Sequence, residues 1–213
     1  MARLCAAVYE DWPIALKVAR SLGYHEFTPI DHDDSQAMVV ANEYEAVAVF
    51  RGTEATKGVL SDIMSNLGMV PVGWAGAGEV HPGYLHHLSR IRFKVAQILA
   101  LHKDKQIVLT GHSLGGAIAT LYAAFADHHA LPIAETWTFG APKALSSSSS
   151  SNISCDFFRV VDPVDFAPYH PLYAPWYKHP DRAVKIKVRN PGRCWGVISR
   201  HMVDGYVVGA AEA

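Results

Sequence analysis

A chain of 213 residues that is half hydrophobic, 10% aromatic and 18% charged carries enough apolar matter for one sizeable core, and a chain this long hides about 70% of its unfolded surface. So low a charge content argues against a disordered chain. A formal net charge of −1 leaves no bulk basic field for a polyanion, which argues against a dedicated nucleic-acid binder.

Apolar residues at helical spacing, Leu4, Val8, Trp12, Ala15, Leu16 and Ala19, predict a helix over residues 2–22, stopped by Gly23. Glu10, Asp11 and Pro13 interrupt the apolar run, so the start is not a standard secretory signal. The expectation is a soluble protein, cytoplasmic or released by another route. Asp31-His32-Asp33-Asp34-Ser35 lacks the glycine and glutamate of a calcium loop and reads as a solvated acidic turn. Valine-rich runs at 36–41 and 46–50 flank a polar tetrapeptide and read as a hairpin. Gly73, Gly76 and Gly78 have no strand before them and read as a flexible loop.

Residues 84–103 form an amphipathic pattern with Leu85, Leu88, Ile91, Val95, Ile98 and Leu99 on one side; His86 and His87 on it lack the spacing of a zinc helix. A strand over 106–110, a small-residue helix over 114–127 and strands at 136–139, 157–161 and 184–188 follow, with the serine run 146–151 expected to be a flexible surface loop. Strands alternating with helices predict a single α/β domain over residues 1–213, its sheet sandwiched by helices. No window approaches the roughly eighteen apolar residues of a membrane span. Cys5, Cys155 and Cys194 are odd in number and far apart, and read as free thiols.

The strongest chemical signal is Gly111-His112-Ser113-Leu114-Gly115, between an apolar strand and an alanine-rich helix. A nucleophilic serine at a strand-to-helix turn needs a strained backbone, and Gly111 and Gly115 remove the side chains that would collide there. The N–H of Leu114, at the helix start, then points to where an oxyanion would form. A serine hydroxyl also needs a base and an acid that orients it. His128 and His129 lie at the far end of the helix that Ser113 opens, about 20 Å away at 1.5 Å per residue. His170 and His179 fall in a proline- and tyrosine-rich stretch, which leaves His201 as the best base. Asp162 and Asp165 both follow the strand at 157–161, and position alone does not choose between them.

With these blocks in hand, the chain resembles the class 3 lipases, the fungal-type triacylglycerol lipase group of the α/β-hydrolases, collinearly over residues 47–206. Phe50-Arg51-Gly52-Thr53, His81-Pro82-Gly83-Tyr84, the Ser113 pentapeptide with Gly116 and Ala117, Phe139-Gly140-Ala141-Pro142-Lys143, the stretch from Arg159 to Pro168, and His201 followed by Tyr206 are each similar to a block of that family. The resemblance implies an α/β-hydrolase fold with a mostly parallel sheet. It implies Asp165 as the acid and the N–H of Thr53 as the first oxyanion donor, beside that of Leu114. It also implies hydrolysis of acylglycerol or related lipid esters through an acyl-enzyme on Ser113, with neither metal nor cofactor. A phospholipase A1 or an acyltransferase would use the same triad, and a non-catalytic lipid-binding scaffold is the reading from another class.

Residues 54–70 follow Thr53 directly and carry Val59, Leu60, Ile63, Met64 and Leu67 on one helical face. That stripe suits a lid that meets a lipid interface, and equally a helix packed on the core. Tyr169, Tyr173, Trp176 and Tyr177 either rim an acyl groove or pack beneath a long loop.

Overall fold

The computed structural model describes residues 1–52, 70–74, 78–150, 153–172, 174–188 and 201–211. The single helix expected at the start is two: α1 (Ala2–Ala7) and α2 (Trp12–Ser21). Pro13 is the reason. In mid-helix its ring would meet the carbonyl four residues back, whereas in a first turn its missing N–H costs nothing, and it sits in the first turn of α2. Gly23 does end α2. It adopts φ +90°, and the N–H groups of Gly23 and Tyr24 donate to the carbonyls of Arg20 and Ala19, both at 3.1 Å, the pattern of a Schellman cap.

Seven strands form the main sheet: β1 (Glu26–His32), β2 (Ser35–Ala41), β3 (Glu45–Phe50), β6 (Gln106–His112), β7 (Glu135–Phe139), β9 (Asp156–Val161) and β11 (Val184–Lys187), in the order β1-β2-β3-β6-β7-β9-β11. The first three pair antiparallel and every later pair is parallel. The hairpin expected at 36–50 is β2 and β3. The sequence reading omitted β1, an edge strand with Pro29 at its centre and Ile30 as its one fully buried residue. The acidic turn joins β1 to β2 and is pinned as well as solvated: Arg90 Nη1 reaches Asp34 Oδ1 at 2.7 Å and Asp33 Oδ2 at 3.1 Å.

Two layers of helices cover the sheet. Helices α3 (Pro82–Ala100) and α4 (Leu114–His128) pack on one face against Ala46, Ala48, Phe50, Ile107 and Leu109. On the other face α1, α2 and the C-terminal α5 (Val203–Ala211) meet Val47, Val49, Val108 and Val160. Burial on both faces is why β2, β3 and β6 read as continuous apolar runs rather than as alternating ones. Cys5, on α1, reaches β6 with its Sγ 3.2 Å from Thr110 Oγ1, and burial pushes its thiol up to about 11. Cys5 and Cys155 are free thiols, and Cys194 lies outside the described residues.

Two expectations of loops are corrected. Gly73 and Gly78 belong to a second, antiparallel sheet made of β4 (Val72–Trp74), β5 (Gly78–Val80), β8 (Leu145–Ser146) and β10 (Tyr177–Lys178), in the order β10-β8-β5-β4. The serine run enters that sheet too. Ser146, Ser149 and Ser150 are buried; Ser149 Oγ donates to the Glu79 carbonyl at 2.8 Å and Ser150 Oγ to Asp181 Oδ2 at 2.9 Å. A serine-rich composition resembles a linker, yet short hydroxyls that find acceptors can be buried.

Candidate active site

The parallel strands β3, β6, β7 and β9 end together. Phe50 is level with Gly111, His112 with Phe139, and Phe139 with Val160, so the loops that follow them converge on one edge, where ligands of such sheets bind. Ser113 occupies the turn from β6 into α4 with φ +57° and ψ −128°, a backbone that L side chains avoid. Its N–H donates to the Phe139 carbonyl at 2.9 Å, which ties the turn to the next strand. The two glycines are required by contact. A Cβ on Gly111 would collide with the Gly115 carbonyl, and one on Gly115 with the Phe50 carbonyl oxygen while lying 2.8 Å from its carbon.

A general rule therefore reverses at Gly115. Glycine-to-alanine within a helix is worth up to about 1 kcal/mol of added stability. Gly115→Ala is instead expected to destabilise by about 1–3 kcal/mol, because the obstacle is backbone that cannot rotate away. A urea midpoint shifted upward would contradict the close approach of α4 to β3.

His201 lies two residues before the start of α5, 88 residues beyond Ser113, and the fold brings the two together. Ser113 Oγ–H donates to His201 Nε2 at 2.7 Å, and His201 Nδ1–H faces both carboxylate oxygens of Asp165, at 2.9 and 3.0 Å. All three are buried, Asp165 and His201 at 0% and 1% exposure. Asp165 is fixed from two further sides: Ala167 N–H donates to Oδ1 at 2.9 Å and the Tyr206 hydroxyl to Oδ2 at 2.6 Å. Asp162, the alternative left open by position, caps its own turn through Val164 N–H at 2.8 Å. Burial, then the neighbouring Asp165, pushes the Tyr206 phenol up, so it stays a donor. The N–H of Leu114 opens α4 and is one of the four that a helix leaves without an internal acceptor. Thr53 lies outside the described residues, as do residues 54–69 of the expected lid; Val70, the last of that segment, is exposed.

Three side chains to which the sequence reading gave no role complete the constellation. Tyr206 is one. His112, inside the pentapeptide, donates from Nε2–H to the His201 carbonyl at 2.6 Å, and its Nδ1 accepts from the Tyr9 hydroxyl at 3.1 Å. Burial and then the adjacent His201 hold His112 well below the usual histidine range, so it is a neutral strut. The only local signal for it was its place beside the serine, since its partners lie 89 and 103 residues away.

The other histidines stand elsewhere. His128 and His129 are exposed at the end of α4. His87 Nδ1 meets Ser35 Oγ at 3.0 Å. His179 donates from Nε2 to the Pro168 carbonyl at 2.7 Å, and burial, then the charge of Arg159, pushes it down to about 3. Of the aromatic stretch, Tyr177 is buried, Tyr169 and Trp176 are exposed, and Tyr173 lies outside the described residues.

His112 and His179 carry a pH consequence. Both are held neutral when folded, whereas the unfolded chain takes up a proton on each near pH 6.5. Below that value the unfolded state binds more protons, so stability falls with acid, by about 1.4 kcal/mol per pH unit for each group. Urea midpoints are expected to drop from pH 6.5 toward pH 4.5, and His179→Gln to drop less steeply; equal slopes would refute the neutral state of the half-buried His179.

The family described as lipase (class 3) matches residues 47–174. The chain belongs to the class 3 lipase family. A secreted mono- and diacylglycerol lipase of Fusarium solani is 29% identical over 112 residues, covering 49% of this chain and 33% of that protein. A lipase of Rhizopus niveus is 33% identical over 101 residues, covering 45% of this chain and 25% of that one. The matched stretch spans only 19% to 33% of the curated relatives' lengths. Among solved structures, a fungal lipase superposes with a TM-score of 0.73 at 18% identity, over 93% of this chain and 81% of that one, which shows a shared α/β-hydrolase fold. Ser113 and Asp165 fall within the stretch that matches the class 3 lipases, and His201 falls beyond it.

Proposed function

We propose that this class 3 lipase hydrolyses carboxylic esters of the acylglycerol type through an acyl-enzyme on Ser113. The observation that carries the reading is the unbroken hydrogen-bonded line from Asp165 through His201 to Ser113 Oγ, buried at the carboxyl edge of the sheet. His201 Nε2 takes the serine proton as Oγ attacks the ester carbonyl, and Asp165 holds the tautomer and stabilises the imidazolium. The N–H of Leu114, joined by that of Thr53, stabilises the oxyanion. The C–O bond to the alcohol breaks as His201 returns the proton to the departing oxygen. Water, activated by the same imidazole, then attacks the acyl-enzyme, releases the acid and restores Ser113. The acylglycerol class is supported by the name of the Fusarium solani relative.

A fluorophosphonate probe and a short-chain triglyceride test the reading together. One phosphonyl group on Ser113, with loss of hydrolysis in step with labelling, is the expected result. An unlabelled Ser113, or hydrolysis that survives full labelling, would overturn it.

A further inference from the structure

Ser113 and His201 open into a cavity of about 640 Å³. Its walls come from α1 and α2 on one side and from α5 on the other, and both lie outside residues 47–174, the stretch that matches the family. Ile14 and Val18 are one turn apart on α2, as are Val203 and Val207 on α5, so each helix lays an apolar ladder along the cavity. Each ladder runs about 6 Å at 1.5 Å per residue. The exposed residues Arg3, Glu10 and Asp204 add charge of both signs on the solvent side.

Which half of an ester fits there follows from the proton path. His201 must reach the departing oxygen to protonate it, so the alcohol half lies on the side of His201. Met202 and Val203, the residues that follow His201, are cavity wall. We propose that this groove binds the alcohol half of the substrate, and that it selects an amphiphilic alcohol: a hydrocarbon portion between Ile14, Val18 and Val207, and hydroxyl or ester oxygens toward Arg3, Glu10 and Asp204. A partial glyceride leaving from a di- or triester has that chemistry. The inference rests on the ester-hydrolase reading above and deepens it.

The test compares two pairs of esters, each below its solubility limit: methyl and hexyl butyrate for the alcohol half, methyl butyrate and methyl octanoate for the acyl half. Full burial of one methylene is worth about fourfold in kcat/KM. The hexyl-to-methyl ratio is therefore expected to be at least about tenfold, with only part of the added chain buried. Ile14→Trp and Val207→Phe fill the groove from opposite walls and are expected to cut that ratio at least about fivefold, leaving the acyl ratio in place. Ratios within one variant cancel any loss of folded enzyme, and Leu101→Trp, on an exposed site at the end of α3, is expected to leave both ratios unchanged. A wild-type ratio near one, or groove variants that collapse the acyl ratio instead, would overturn the assignment while methyl butyrate turnover left the hydrolase reading standing. If the wild type hydrolyses no ester and Ser113 takes no phosphonate, the hydrolase reading falls and the groove assignment with it.

Discussion

Ser113→Ala is expected to lower kcat/KM for a short nitrophenyl ester by about 10⁴–10⁶-fold, because loss of the nucleophile removes the covalent route entirely while the oxyanion donors remain. The fold is expected to survive. The hydroxyl donates one hydrogen bond, to His201, and an ordinary bond of this kind contributes about 1 kcal/mol net. Alanine keeps the backbone strain at φ +57°, so the urea midpoint should move little. Ser113→Gly separates the two effects. It is equally inactive, but it relieves a left-handed backbone that costs an L residue about 1–2 kcal/mol, and it should therefore be more stable than Ser113→Ala. Turnover by the alanine variant within tenfold of wild type would mean that Ser113 is not the nucleophile. Equal stability of the glycine and alanine variants would mean that the turn is not strained.

Local chemistry made one part of this site legible in the sequence, and distance hid the rest. The turn at Ser113 needs only a strand, two glycines and a helix, all within a dozen residues, and each leaves its own mark. The orienting acid was different. Asp162 and Asp165 are three residues apart on one loop, and what separates them is His201, 36 residues beyond Asp165, whose Nδ1–H faces the Asp165 carboxylate. Residue pattern alone leaves that choice open, and it is the resemblance to the family that implies Asp165. The strut from Tyr9 through His112 to the His201 carbonyl joins three distant segments and has no local signature.

The fold divides in the same way. Long buried elements such as α3, α4, β3 and β6 were readable because burial imposes a period or a continuous apolar run. Strand β1 was not, since an edge strand with one buried residue has no pattern to impose. The second sheet was not either, because strands of two or three residues are too short to show alternation. The N-terminal helix was misread as one because apolar spacing on α1 happens to continue in phase on α2. Pro13, which breaks the apolar run against a signal peptide, also marks a helix start.

Asp165→Asn is expected to cost about 10⁴ in kcat, and the local hydrogen bonds give the reason. The carboxylate accepts from Ala167 N–H at Oδ1, from the Tyr206 hydroxyl at Oδ2, and from His201 Nδ1 at both. An asparagine has one oxygen to meet these donors. With that oxygen at the Oδ1 position, the amide NH₂ faces Tyr206 and His201 Nδ1. The imidazole then does best with Nδ1 bare and its proton on Nε2, where it cannot accept from Ser113. With the oxygen at the Oδ2 position, the NH₂ meets Ala167 N–H, donor against donor, in a fully buried place. The first arrangement inactivates the base and the second costs about 1–3 kcal/mol of stability, so the variant should adopt the first. Asp162→Asn is the control: its Oδ1 caps Val164 N–H, a bond that the asparagine oxygen can keep, and kcat should stay within about tenfold. Nitrogen NMR of His201 reads the mechanism directly, as a proton moved from Nδ1 to Nε2 in Asp165→Asn. If kcat falls and the tautomer does not change, the acid acts by stabilising the imidazolium and not by setting the tautomer; if kcat does not fall, Asp165 is not the orienting acid.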